Sequence, residues 1–138
     1  MEDPRQAVLD EIADLSRGDL DAVLGYYTDD VYFEDVTVPQ PCHGKEEMRA
    51  FMAEFYRGFP DLHIEVRHCV AGDHTVTAEY DLIGTHTGSF LGHAPSGRGF
   101  RIPAVSVYEH DGRLFTRETV YYDSATMFRQ LALPIEQA

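Results

Sequence analysis

The 138-residue chain predicts an α+β fold: three helices in the N-terminal half and a short C-terminal helix pack on a strongly bent antiparallel sheet, forming a cone. Three observations lead there. The apolar period is helical up to about residue 57 and switches to two from about residue 62. Short turn signals separate the later segments as they do in hairpins. The length suits one buried core, so residues 1–138 are read as a single domain.

Asp3 before Pro4 is a helix start, and Val8, Ile12 and Leu15 follow at helical spacing until Gly18. Asp19 restarts a helix whose stripe is Leu20, Val23, Leu24 and Tyr27. "VYFEDV" (31–36) alternates as a short strand, and "PQPC" breaks it. Met48, Phe51, Met52 and Phe55 place a third helix over 45–57, stopped by Pro60. Leu62, Ile64 and Val66 then share one face of a strand, and "AGDH" (71–74) turns it back. The return strand, 75–87, carries Val76, Ala78, Tyr80, Leu82, Gly84 and His86 on one side. "GTHTGSFLGHAPSGR" (84–98) ends that strand in a glycine-rich loop at the cone's rim. "FRIPAVSVYEH" and "LFTRETVYYD" are strands joined by Asp111-Gly112, and Asp123 caps the closing helix, "SATMFRQLAL". A cone of this kind has one natural pocket, on the concave face of its sheet.

Twenty-four acids against eleven bases leave a formal charge of −13. That sign opposes nucleic acid and anionic membranes alike. The start "MEDPRQAVLDEI" lacks a basic and apolar leader, and no run approaches a membrane span, so a cytoplasmic location is expected. Cys42 and Cys69 form no CxxC pattern and read as free thiols. His63, His68, His74 and His86 follow neither HxxxH nor HxH spacing, and no serine sits in GxSxG, so no metal and no serine nucleophile is expected.

Chemistry therefore rests on a few polar residues of the inner face. His86 ends an otherwise apolar series, with an ordinary pKa near neutrality, and is a candidate general base; alternatively it is a strand-end histidine bonded to backbone. Asp35 shares a strand face with Val31 and Phe33. If those two are core, its carboxylate points inward and needs a partner, for which a histidine is suited. Otherwise Asp35 turns the chain into "TVPQP". Glu118 is either a pocket carboxylate or a surface partner of Arg101 or Arg117. Tyr32, Tyr80, Tyr108 and Tyr122 are candidate hydrogen-bond donors to a substrate oxygen, with Tyr80 and Tyr122 favoured by their faces. Phe33 and Val120 would supply apolar wall. Arg98, in "PSGR", either holds a substrate carboxylate or phosphate or pairs with one of the many acids. Asp123 is read as a cap.

Three blocks, "YYTDDVYFEDVTVPQPCHGKEEMRAFM", "GTHTGSFLGHAPSGR" and "YYDSATMFRQLAL", resemble those of the SnoaL-like polyketide cyclases, also called ester cyclases, within the nuclear transport factor 2-like superfamily. The resemblance spans about residues 5–133 and implies the cone fold, a homodimer, and cofactor-free chemistry on hydrophobic natural-product intermediates. In similar dehydratases and isomerases an aspartate and a histidine form a dyad, and Asp35 with His86 stand at matching places. The acid-base aspartate of aldol cyclases, and of the similar limonene epoxide hydrolases, falls on Val120, which cannot exchange a proton. The combined expectation is an acid-base enzyme using His86, Asp35 and Glu118 on a polyketide or terpenoid-like substrate, by cyclisation, isomerisation or dehydration. The alternatives are an apolar-ligand-binding protein of the same fold, or an epoxide hydrolase.

Overall fold

The computed structural model describes residues 1–135. Its elements run α1 (Pro4–Ser16), α2 (Leu20–Leu24), β1 (Tyr27–Asp35), β2 (Cys42–His43), α3 (Lys45–Gly58), β3 (His63–Ala71), β4 (Thr75–Thr85), β5 (Gly99–His110), β6 (Phe115–Tyr122) and α4 (Ser124–Gln130). Three helices begin where a side chain satisfies an orphan amide. Asp3 accepts from the Gln6 amide, Asp19 from that of Ala22 and Asp123 from that of Thr126. The second helix is shorter than its apolar stripe predicts. It ends at Leu24, and Tyr27 opens β1, which starts four residues before the expected position at Val31. The stripe misleads because Tyr27 is fully buried from a strand as it would be from a helix.

All six strands form one sheet in the order β2-β1-β6-β5-β4-β3. Every pairing is antiparallel except that of β1 with β6, which is parallel. No hairpin links those two strands, so nothing in the local chain forces them to run oppositely. At the β5–β6 turn Asp111 accepts from the amides of Arg113 and Leu114, and Gly112 takes the left-handed conformation at φ 95°.

Registers align the buried positions into one concave face. Val76, Ala78, Tyr80 and Leu82 of β4 lie opposite Tyr108, Ser106, Ala104 and Ile102 of β5, and all eight are buried. Val120 and Glu118 of β6 continue the layer opposite Ser106 and Tyr108, then Asp35 and Phe33 of β1 opposite Val120 and Glu118. Helices α1 and α3 cover this face, contributing Val8, Ile12, Met48 and Met52. The opposite face carries the ion pairs, such as Arg101 with Glu65 and Asp81, and Arg117 with Glu34 and Glu109.

The GTHTG block joins helix to sheet. The amides of Thr87 and Gly88 both donate to the carbonyl of Gly58, at the end of α3, at 3.1 Å. Thr85 donates through its amide and hydroxyl to Asp61, at 2.8 and 2.7 Å. Gly88 has to be glycine, because a Cβ there would lie 1.9 Å from the Arg57 carbonyl oxygen. No helix among the described residues is long and apolar enough to cross a membrane.

Candidate active site

Inside the cone lies a chamber of about 80 Å³. A larger one of about 450 Å³ adjoins it at the rim, between α3, the 88–98 loop and α4. Phe51, Phe55 and Tyr122 line both chambers.

The inner chamber's polar side chains form two groups. On the floor, Tyr108 donates to Glu11 at 2.8 Å, Tyr27 donates to Glu118 at 2.6 Å, and the hydroxyls of Tyr80 and Ser106 share a hydrogen bond of 2.7 Å. Glu11 and Glu118 are 2% and 6% exposed, and neither has a cationic partner among the described residues. Burial pushes the Glu118 carboxyl from 4.5 up to about 7, opposed by the hydrogen bond from Tyr27. Burial, and then the nearby Glu118, raise Glu11 well above the usual carboxylate range. Desolvation also raises the pKa of Tyr27, Tyr80 and Tyr108, so these phenols stay protonated as donors. At neutral pH the floor is thus a store of protons in an apolar cup.

On the wall, Asp35 is 3% exposed and accepts three hydrogen bonds. They come from the Thr37 amide (2.8 Å), the Thr37 hydroxyl (2.6 Å) and the Tyr122 hydroxyl (2.7 Å). A carboxylate has about four acceptor sites, so one is left for a ligand. Val120 lies directly across from Asp35 in the parallel register, and both line the inner chamber, as does Phe33.

Two expectations need correction. Asp35 and His86 do not pair: Asp35 is engaged by Thr37 and Tyr122, while His86 lies outside the linings of both chambers. The imidazole is fully buried, its centroid 5.4 Å from that of the Phe59 ring and tilted 37° to it. Its Nδ1 lies 3.1 Å from the Ser96 amide, which donates to it, and 3.1 Å from the Ser96 hydroxyl. An acceptor at Nδ1 places the proton on Nε2, which has no hydrogen-bond partner among the described residues. Burial, and then His93, lower its pKa, which keeps the ring neutral. Strand parity led His86 inward, but just past the end of β4 its ring meets Phe59, the residue that follows α3, and lines neither chamber. Arg98 is exposed and lines neither chamber; its carbonyl accepts from the His86 amide.

Glu11, Tyr27 and Tyr108 complete the floor and were not singled out as a group by the sequence. A signal existed for Glu11, which lies three residues after Val8 and four before Leu15, on the apolar stripe of α1. A carboxylate there points to the core.

The family model for SnoaL-like polyketide cyclases matches residues 6–131. No curated protein matches significantly. Among solved structures, a protein of Jannaschia sp. CCS1 provisionally named a SnoaL-like polyketide cyclase is 21% identical, covering 96% of this chain and 97% of that one, with a TM-score of 0.81. IdmH of Streptomyces antibioticus, provisionally a polyketide cyclase, is 20% identical over 94% of this chain and 99% of that one, TM-score 0.80. A Catenulispora acidiphila protein with a ketosteroid isomerase-like fold, in complex with trimethylamine, is 18% identical over 93% of each chain, TM-score 0.81. At these identities the likeness establishes the fold.

Proposed function

The chain belongs to the SnoaL-like polyketide cyclase family, and from that premise we propose that it is a cofactor-independent acid-base enzyme acting next to a carbonyl of a hydrophobic polyketide or terpenoid-like compound. The observation that carries this reading is the proton-rich Glu11–Tyr108 and Glu118–Tyr27 floor facing Asp35 across one apolar chamber. Asp35 takes a proton from the carbon beside the carbonyl. The carbonyl oxygen becomes an enolate oxygen and is held by the O–H of a neutral glutamic acid of the floor, whose other oxygen accepts the tyrosine's proton, a donor well suited to a dry site. From the enolate, reprotonation at another carbon gives isomerisation, loss of a β-hydroxyl gives dehydration, and attack on a second carbonyl closes a ring. Tyr122 and Thr37 orient Asp35 throughout.

Val120 favours a second reading, a non-catalytic carrier of apolar ligands, because the resemblance puts a catalytic acid at that position. Deuterium exchange separates the two. Apolar β-diketones and cyclic enones are incubated with the protein in heavy water, and hydrogen loss beside the carbonyl is followed by NMR. The enzyme reading expects exchange that falls about 10²- to 10⁴-fold in Asp35→Asn and Glu118→Gln. Binding of these ketones without exchange above the buffer rate would favour the carrier.

A further inference from the structure

One stretch of the rim hangs on a single residue. Among the described residues, every hydrogen bond that leaves "APSGR" (94–98) ends on His86. The Ser96 amide donates to Nδ1 at 3.1 Å, the Gly97 amide to the His86 carbonyl at 2.9 Å, and the His86 amide to the Arg98 carbonyl at 2.8 Å. The bond from the Arg98 amide to the Ser96 hydroxyl stays within the stretch. The other foot of the loop is tied elsewhere. Thr87 and Gly88 donate to the Gly58 carbonyl, the Leu91 amide donates to Glu54, and Phe90 is buried against Phe55 and Phe59. Between the two parts stands His93, which lines the outer chamber and meets the Phe128 ring of α4 edge-on.

The imidazole is the point at which a proton can undo this arrangement. Its neutral form offers Nδ1 as an acceptor and leaves Nε2–H without a partner. A charged ring carries N–H at both nitrogens. Nδ1–H would then face the Ser96 amide, donor against donor, with the Ser96 hydroxyl as its one possible acceptor. The ring is fully buried, so the charge would also be taken out of water. No carboxylate relieves it. Asp61, which follows α3, is taken by Thr85, Arg57 of α3 pairs with Glu54, and the Arg98 side chain is exposed. Burial, and then His93, hold the ring below the ordinary 6.5, and the backbone of Gly88 opposes them less strongly.

We infer that His86 is a pH-sensitive latch: neutral, it holds residues 94–98 in place, and protonation releases them, freeing His93 from the wall of the outer chamber. Acidity thereby controls access to that chamber. A released ring lies in water and titrates near 6.5, whereas the latched ring titrates lower. Above 6.5 the latch holds, and it opens as pH falls from there toward the latched value. Between about pH 7.5 and 5.5 the released population should grow about three- to tenfold. The latch goes beyond the proposed function and operates whether the chamber serves catalysis or carriage.

Amide hydrogen exchange followed by NMR on the ligand-free full chain, over that pH range, tests it. Each rate is divided by that of an unprotected amide at the same pH. The Ser96 and Gly97 amides should open about three- to tenfold more at the acid end, while those of Thr87 and Gly88, tied to α3, stay unchanged. In His86→Asn, whose side-chain oxygen accepts from the Ser96 amide without titrating, the increase should vanish. The imidazole nitrogen shifts of the wild type give a second reading that needs no variant: an Nε2-protonated ring at neutral pH, with a midpoint below 6.5. Protection of Ser96 and Gly97 that ignores pH, an equal rise in His86→Asn, an equal loss at Thr87 and Gly88, or a His86 ring that titrates at or above 6.5 would each overturn the inference.

Discussion

Glu118→Gln is the sharpest probe of the floor, because it retains the side-chain shape and the oxygen to which Tyr27 donates while removing the titration. Glu118 titrates near 4.5 in the unfolded chain and at about 7 in the folded protein. Between these values the unfolded chain has released a proton that the native protein keeps. Stability from this group is therefore fully present below pH 4.5, declines as pH rises, and levels off above about 7. At about 1.4 kcal/mol per pKa unit, the decline comes to about 3 kcal/mol. A glutamine side chain has no such dependence, so the variant should gain about that much on the wild type between pH 4.5 and 8. Glu11 adds to the effect, since its own raised pKa owes part to the Glu118 charge. Urea unfolding followed by circular dichroism, at half-unit intervals across this range, gives both stabilities, and the titrating groups other than Glu11 cancel in the difference. Wild type and variant running parallel across the whole range would show that no raised carboxyl exists at position 118, and the proton-rich floor would fall with it.

Other perturbations address the wall, the rim and the block that ties helix to sheet. His86→Asn places an oxygen near the Nδ1 position and should keep the Ser96 amide bonded, whereas His86→Ala strands that amide and should cost about 1 to 3 kcal/mol by thermal or urea unfolding. Both should retain deuterium exchange when folded; a loss of exchange in His86→Asn at full stability would return the histidine to the chemistry. Gly88→Ala forces a Cβ against the Arg57 carbonyl and should lower stability by more than about 2 kcal/mol, an expectation that an unchanged melting temperature would defeat. Asp35→Val should abolish exchange and Asp35→Val combined with Val120→Asp should restore part of it, since the two positions are direct neighbours on the wall; a double variant as inactive as the single would tie the function to β1 alone.

The sheet was legible because period-two alternation reports which side of a strand is buried. Tyr80, Leu82, Val120 and Asp35 all face inward as their spacing implies. Caps were legible too, since Asp3, Asp19 and Asp123 act within three residues of their partners. What alternation does not report is what lies above a buried position. His86 and Asp35 both have inward parity, yet His86 meets Phe59 and Ser96 while Asp35 meets Tyr122 and the cavity. That difference depends on where α3 ends over β4, a packing of segments distant in sequence. The floor was hidden for a related reason. Glu11 and Tyr108 are 97 residues apart, and Tyr27 and Glu118 are 91 apart, so neither pair leaves a local pattern. The parallel pairing of β1 with β6 escaped likewise, because no turn between them advertises it.

Energy separates a structural reading of the floor from a functional one. If burial of Glu118 and Glu11 served stability, each would have gained a cation or a full set of donors. Arg117, next to Glu118 in sequence, is instead committed to Glu34 and Glu109 on the opposite face. Burial raises both glutamates, so at neutral pH and above they weaken the fold relative to a glutamine or an apolar side chain. A protein of this size has about 5 to 15 kcal/mol in total, which makes a cost near 3 kcal/mol a large fraction of it. Groups held in a state that costs this much, facing an apolar chamber and a third carboxylate, are the arrangement in which perturbed titration is put to chemical use. Val120 fits the same logic. With Asp35 beside it on β1, a second carboxylate at position 120 would set like charges together on a buried wall, so the missing acid removes a repulsion and leaves the wall its single base.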